Sequence, residues 1–188
     1  MGTREALVDA ATALLDEGGV AAVTLREVGR QVGVSHNAPY KHFASKEQLL
    51  AAVAAAELER RGAELVATAK RRRSPEAVLR ATLHHYISWA LDRPARFRLV
   101  FGQWNVESEE LTKAAHAAQT GLVDLVAATQ SAGALPAGDP VRLASLLRAT
   151  AHGAADLAAA GHLAEGGKGN ASPEQLVDDL LAYLSERG

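Results

Sequence analysis

The chain has 188 residues, of which 48% are hydrophobic and 22% are charged, a balance that is typical of a soluble globular protein with a sizeable core. It contains no cysteine, which excludes disulfides, thiol catalysis and cysteine-ligated zinc. Its formal net charge of −2 argues against a nonspecific nucleic-acid coat, because that role needs a large basic surface.

Alanine and leucine dominate the chain, and no stretch alternates polar and apolar residues with period two. This pattern predicts an all-α fold of about nine helices. The first helix carries apolar residues from Leu7 to Leu15 at helical spacing and is expected to stop at Gly18-Gly19. No apolar run reaches the length of a membrane span and no secretory signal pattern begins the chain, so we expect a cytoplasmic protein with no membrane partner.

Residues 24–46 predict two short helices joined by a tight turn, followed by the start of a third. Thr24 and Glu27 have capping-box spacing, and the helix that they open is expected to end at Gly33. Ser35 is expected to cap the second helix, and Ser45 with Gln48 to form a second capping box. This arrangement is the one that places a helix in a DNA groove.

In the second helix, Val34, Pro39 and Phe43 are expected to face inward. The opposite side would carry donors and cations, and the segment 24–46 has a local charge of about +3 when Glu27 is set against its lysines and arginines. Asparagine can bond two edges of adenine, and lysine can reach guanine or phosphate. The candidate DNA-binding residues are Thr24, Arg26, Ser35, His36, Asn37, Ala38, Tyr40, Lys41, His42 and Lys46. Packing alone would explain the inward residues but not this outward set.

The stretch G-V-S-H-N-A-P-Y-K-H-F-A-S-K-E-Q-L-L, residues 33–50, resembles the TetR family of bacterial transcriptional repressors. The resemblance covers residues 3 to about 52 closely. It implies a homodimer that binds double-stranded DNA and a C-terminal domain that binds a small inducer. A family subgroup carries Trp-x-x-x-His-Gly in that domain; this chain has His152-Gly153, with Arg148 where the tryptophan would stand.

We expect a helix-turn-helix domain at 1–50 and a helical regulatory and dimerisation domain at 51–188. A long helix from Ser45 to about residue 70 would join them without a flexible linker. The last two helices, near 140–161 and 173–186, carry more leucine than a peripheral pair needs. The resemblance implies that this pair forms a four-helix bundle with its copy; packing of the leucines inside the monomer is the alternative.

Five of the eight aromatic residues lie between positions 86 and 104. An apolar ligand pocket needs such a lining, although an aromatic cluster at helical spacing also fits a plain core. The candidate pocket residues are Tyr86, Trp89, Phe97, Phe101, Trp104, His116, Gln119 and His152. A buried histidine satisfied by a backbone carbonyl is the alternative for each of the histidines.

The sequence offers little for an enzyme, since H-E-x-x-H, G-x-S-x-G and a cysteine nucleophile are all missing. We expect no catalytic residue, no metal and no cofactor. The alternatives left open are a DNA-binding regulator without a ligand, an activator instead of a repressor, and an all-helical enzyme or binding module.

Overall fold

The computed structural model describes residues 2–72 and 74–186. Within these residues the chain forms eight α-helices and one 3-10 turn, Pro39–Lys41, and no β-strand, so the all-α prediction with about nine helical segments is confirmed. The α-helices are α1 (Thr3–Ala22), α2 (Leu25–Val32), α3 (Lys46–Arg71), α4 (Pro75–Asp92), α5 (Pro94–Val100), α6 (Glu109–Ser131), α7 (Pro140–Ala159) and α8 (Pro173–Ser185).

Local signals set most helix ends. The backbone of α1 breaks at the expected glycine pair, where Gly19 adopts a φ of 66° that a side chain would disfavour. Ser172 and Gln175 form a complete capping box at the start of α8, with Pro173 at its first position. Asp139 accepts a hydrogen bond from the backbone N–H of Val141 at the start of α7.

The chain divides into two compact units. The first comprises Met1–Arg61 and Arg93–Ala117. In its core, Leu7 and Leu15 of α1, Val28 of α2 and Leu49 of α3 are each fully buried. Helix α5, although distant in sequence, packs on α1 and contributes Leu99 to this core. The first unit therefore includes more of the chain than the three N-terminal helices.

The second unit comprises Gly62–Asp92 and Ala118–Gly188. Its core lies among α4, α7 and α8, which contact one another pairwise, and the second half of α6 adds Val126. Leu79, Leu147 and Val177 have no exposed surface. The functional division expected at residue 50 stays a prediction, since the compact units follow packing. No helix in the described ranges is both long enough and apolar enough to cross a membrane.

Candidate nucleic-acid interface

Helix α2 begins and ends as its sequence predicts. The hydroxyl of Thr24 accepts a hydrogen bond of 3.1 Å from the backbone N–H of Glu27, and Gly33 ends the helix with a φ of 73°. Leu25 and Val28 are buried and Val32 is half-buried, so the expected face packs inward. The helix is thereby held at both ends and along one side.

The predicted second helix is wrong in its type. Residues 36–38 form a turn, and Pro39–Lys41 form a single 3-10 turn. Pro39 has no N–H to donate to Ser35, and a proline ring beyond the first helical turn clashes with the carbonyl four residues back. The carbonyl of Ser35 instead accepts the N–H of Ala38 at 2.9 Å, and the expected Ser35-capped α-helix does not form.

Close packing between α2 and this turn depends on Gly29. A Cβ atom added to Gly29 would lie 2.8 Å from Cγ of Pro39, a distance that side chains do not tolerate. Gly29 is buried, and its carbonyl accepts the N–H of Val34 at 3.1 Å. Sequence reasoning missed this residue, although a glycine inside a helical pattern was the available signal.

The predicted inward and outward sides of residues 34–46 are both observed. Pro39 and Phe43 are buried and Val34 is half-buried. The imidazole of His36 and the ring of Tyr40 lie next to each other on the outer side, with centroids 5.9 Å apart. Of the candidate DNA-binding residues, only Ala38 and Lys46 are half-buried; the exposed ones are Thr24, Arg26, Ser35, His36, Asn37, Tyr40, Lys41 and His42.

Both predicted capping boxes in this segment are only partly formed. The carboxylate of Glu27 pairs with Arg30, which donates from Nε to Oε2 at 3.0 Å and from Nη2 to Oε1 at 2.5 Å. At α3, Ser45 Oγ accepts the N–H of Gln48 at 3.2 Å, but Gln48 Oε1 accepts from Ala44 instead of Ser45. The hydrogen bonds from Arg30 lower the pKa of Glu27, and the same pair raises the pKa of Arg30.

Two arginines outside the segment make long-range contacts within the first unit, and one of them touches the segment. The guanidinium of Arg4 lies 5.2 Å from the ring centroid of Phe43 and also pairs with Glu110 at the start of α6. Arg96 on α5 binds Asp16 of α1 and Glu57 of α3. Hydrogen bonding to Asp16 is the main reason that the pKa of Arg96 is raised.

The carboxylate of Glu57 is 2% exposed and also accepts from Arg60 at 2.8 Å. Sequence reasoning missed this network. Its signal was a glutamate in an otherwise apolar run of α3, followed by arginines three and four residues later.

The candidate pocket residues fall in both compact units. Phe97, Phe101, Trp104 and His116 belong to the first, and Tyr86, Trp89, Gln119 and His152 belong to the second. In the first unit the rings of Phe97 and Phe101 have centroids 5.2 Å apart, and His116 is exposed on α6.

In the second unit the hydroxyl of Tyr86 lies 2.8 Å from Nδ1 of His152, and Arg148 donates to Oε1 of Gln119 at 2.5 Å. His152 therefore has a side-chain hydroxyl as a polar contact, and its Nε2 lies 3.6 Å from Oδ2 of Asp156. Burial raises the pKa of Tyr86, so its phenol stays protonated and able to donate at neutral pH.

An exposed, cation-bearing turn that follows a capped short helix, with helices as the regular secondary structure of the described residues, is typical of a helix-turn-helix DNA-binding protein. Residues 7–53 match the model of bacterial regulatory proteins of the tetR family, and residues 79–183 match the model of the tetracyclin repressor-like C-terminal domain. The chain therefore belongs to the TetR family of transcription regulators, a class of regulators and not of enzymes.

Relatives and solved structures agree with this assignment. The HTH-type transcriptional regulator BetI of Rhizobium meliloti (strain 1021) is 49% identical over 49 residues, which are 26% of this chain and 24% of that protein. The match thus spans about a quarter of the length of that curated relative.

A Rhodococcus sp. RHA1 protein of unknown function is similar over 99% of this chain and 95% of its own, with 30% identity and a TM-score of 0.83. A TetR-family regulator from Pectobacterium atrosepticum is 26% identical with a TM-score of 0.70, covering 97% of this chain and 92% of that one. SmeT, solved as a complex with triclosan, is 27% identical with a TM-score of 0.66. The match covers 97% of this chain and 91% of the SmeT chain.

Proposed function

We propose that this protein is a homodimeric repressor that binds a palindromic operator and is released by a small molecule. The observation that carries the proposal is the outward face of residues 34–46, where Asn37, Tyr40 and Lys41 are exposed around a turn held by buried Pro39 and Phe43. Two such faces related by a two-fold axis would read two half-sites about 34 Å apart. Such a regulator acts on chromosomal DNA, which in bacteria lies in the cytoplasm.

The side chains of this face divide by what they can contact. His36, Asn37 and Ala38 are the base-contact candidates, with Ala38 touching a thymine methyl. Arg26 and Lys41 are long enough for bases or phosphates. The residues proposed to hold the phosphate backbone are Thr24, Ser35, Tyr40, His42 and Lys46.

Exposed apolar side chains on α7 and α8 support dimerisation. Leu146 and Leu157 are each 48% exposed, and Gly153 lies between them on the same helical face. Tyr183 on α8 is 65% exposed. Buried Leu147 and Leu181 explain part of the leucine excess of these helices by packing within the unit, whereas Leu146, Leu157 and Tyr183 lie outside that packing and are accessible to a partner. A second copy of the chain is the partner that the resemblance implies.

Release by a ligand is supported by SmeT, which has been solved with triclosan and shares 27% identity with this chain. We call residues 36–41 the recognition turn. A ligand would release the operator only if it favours a dimer conformation in which the two recognition turns no longer match the spacing of successive DNA grooves. Tyr86 and His152, which share a hydrogen bond, are candidates for its polar contacts.

Selection of duplexes from a random DNA library by the purified protein, at near-physiological salt, tests the proposal. An enriched palindrome would support a site-specific dimer and would supply the operator. The control is Tyr40→Ala, which removes an exposed aromatic ring from the outward face. If the wild-type pool shows no enrichment over this control, the proposed function is wrong.

A thermal-shift screen of the same protein would bear on the ligand. A compound at about 100 times its dissociation constant adds near 2.7 kcal/mol to the free energy of unfolding. A compound that stabilises the protein and also lowers its operator affinity would support induced release. A binder that leaves operator affinity unchanged would favour the alternative, a ligand-independent regulator.

A further inference from the structure

Glu27 is the single acidic residue in the sequence between positions 24 and 46. Its side chain lies in a surface cleft of about 550 Å³ that Thr24, Arg26, Arg30 and His36 also line. Two guanidinium groups and an imidazole in one cleft suit a phosphate anion. A carboxylate in that cleft opposes the binding of the same anion, so its presence needs an explanation.

Helix capping does not provide that explanation. In a complete capping box the carboxylate of Glu27 would return to the backbone N–H of Thr24, but both of its oxygens are engaged by Arg30. The bond that caps α2 comes from the backbone N–H of Glu27 to Thr24 and does not need the carboxylate. An exposed i,i+3 ion pair also contributes little to helix stability.

The ion pair between Glu27 and Arg30 does change which N–H donors of Arg30 are available to DNA. The side chain of Arg30 is 71% exposed, so it could reach a phosphate from this surface. To bind one bidentately through Nε and Nη2, Arg30 would have to leave a carboxylate that already occupies this edge. The lowered pKa of Glu27 keeps that carboxylate charged throughout the neutral range. A phosphate that approaches this edge of Arg30 therefore competes with the Glu27 carboxylate for the same two donors.

We propose that Glu27 is a specificity-determining residue, which pairs with Arg30 and so withholds this guanidinium from DNA phosphates. Binding to non-operator DNA depends almost wholly on phosphate contacts, whereas operator binding also draws on base contacts. Withholding a phosphate ligand thus weakens non-operator binding proportionally more. This inference rests on the proposed function, since it concerns how that DNA-binding face discriminates between sequences.

The test compares Glu27→Gln with the wild type on two fluorescent duplexes, the selected operator and a scrambled sequence, across a series of salt concentrations. Glutamine keeps the shape of the side chain and the backbone N–H that caps α2. We expect binding to the scrambled duplex to strengthen about tenfold and the operator-to-scrambled ratio to fall. We also expect the log-log salt slope to steepen by up to about 2 per dimer, one phosphate for each subunit.

The control is Glu59→Gln, which removes the same charge from an exposed position on α3 outside this segment. It should change both affinities by less than about twofold if long-range charge effects are screened by salt. An unchanged operator-to-scrambled ratio in Glu27→Gln, or an equal change of that ratio in Glu59→Gln and Glu27→Gln, would overturn the inference.

A second variant, Arg30→Gln, separates withholding from simple repulsion, and its own binding does not depend on Glu27→Gln being well folded. Arg30→Gln should weaken binding to the scrambled duplex by less than about threefold, because Arg30 is not used there in the wild type. The gain from Glu27→Gln should also disappear in the Arg30→Gln background. A large loss in Arg30→Gln, or a gain that persists without Arg30, contradicts the assigned role.

Failure of the proposed function would look different from failure of this inference. If the wild type shows no preference for any duplex, the repressor proposal fails first. If the wild type prefers its operator and Glu27→Gln keeps the same preference, only the role of Glu27 is wrong.

Discussion

Arg96 and Asp16 are joined by two parallel hydrogen bonds, from Nε to Oδ1 at 2.9 Å and from Nη2 to Oδ2 at 2.6 Å, across 80 positions of sequence. The remaining terminal nitrogen of Arg96 donates to Oε2 of Glu57 at 3.1 Å. One guanidinium therefore ties α5 to both α1 and α3. This bidentate geometry is one that lysine cannot reproduce.

Replacing Arg96 with methionine should lower the free energy of unfolding by about 1–3 kcal/mol, because it leaves the buried carboxylate of Glu57 with one cation fewer. Urea unfolding followed by circular dichroism measures the change. Arg98→Met, on the exposed side of α5, is the matched control and should cost less than about 0.5 kcal/mol. Equal losses in the two variants would mean that the Arg96 network adds no stability.

Gly29→Ala should destabilise the protein by about 1–3 kcal/mol and weaken operator binding. The new Cβ would collide with Cγ of Pro39 and push the recognition turn away from α2. Gly62→Ala in α3 is the control, because a Cβ there meets nothing within 4 Å. That change should be neutral or stabilising by up to about 1 kcal/mol. Thermal unfolding and operator titration of both variants check the prediction, and equal effects would contradict it.

Asn37→Ala and Lys46→Ala should differ in the kind of loss that they cause. If Asn37 contacts a base, its removal should cost roughly 1–3 kcal/mol on the operator and relax one position of the selected site. If Lys46 contacts phosphate, its removal should weaken all sequences alike and make the salt slope shallower by about 1 per subunit. Titrations on operator and single-substituted duplexes measure both, and a uniform loss for Asn37→Ala would contradict its role.

The salt dependence of the wild type provides a further check on the same face. If about eight phosphates are neutralised per dimer, the log-log slope of operator affinity against salt should lie near −7. A slope near −3 would mean that several of the assigned backbone contacts are not made. Fluorescence anisotropy at several salt concentrations is sufficient to measure it.

Leu157→Asp should convert the protein to a monomer in solution. A charge in the centre of an apolar interface would raise the dimer dissociation constant by about a hundredfold or more. Val66→Asp is the control. Val66 lies on α3, outside α7 and α8, and its exposure of 52% is similar to the 48% of Leu157. Sedimentation velocity distinguishes the two outcomes. If Leu157→Asp remains dimeric, the α7 face is not the dimer interface.

The free energy of unfolding should fall above about pH 10 partly because of Tyr86. Burial raises the pKa of this phenol in the folded state, so the unfolded chain loses its proton first as pH rises through the ordinary tyrosine value near 10. The contribution of the Tyr86 phenol to the free energy of unfolding is therefore complete below about pH 10 and decreases above it. Tyr86→Phe should show a shallower fall between about pH 9.5 and 11.

Tyr183→Phe is the control for Tyr86→Phe, because it removes an exposed tyrosine and keeps the partly buried one. It should retain the wild-type fall in stability. Urea unfolding at a series of alkaline pH values measures all three proteins. Identical pH profiles for wild type and Tyr86→Phe would mean that the phenol is not perturbed in solution.

The sequence by itself determined the features that depend on neighbouring residues. Thr24 and Gly33 bound α2, and the capping box of Ser172 starts α8, because each of these signals acts through hydrogen bonds within a few residues. The all-α class and the outward face around Tyr40 also followed from helical spacing. Family membership followed from the residues of that same short segment.

Only the tertiary structure decided the features that depend on distant or competing partners. Pro39 yields a 3-10 turn because its missing N–H and its packing against Gly29 outweigh the local helical pattern. Glu27 could serve either Thr24 or Arg30, and spacing alone does not choose between them. The contact of Arg96 with Asp16 joins residues 80 positions apart that no local pattern connects, because the approach of their side chains is set by how separate helices pack.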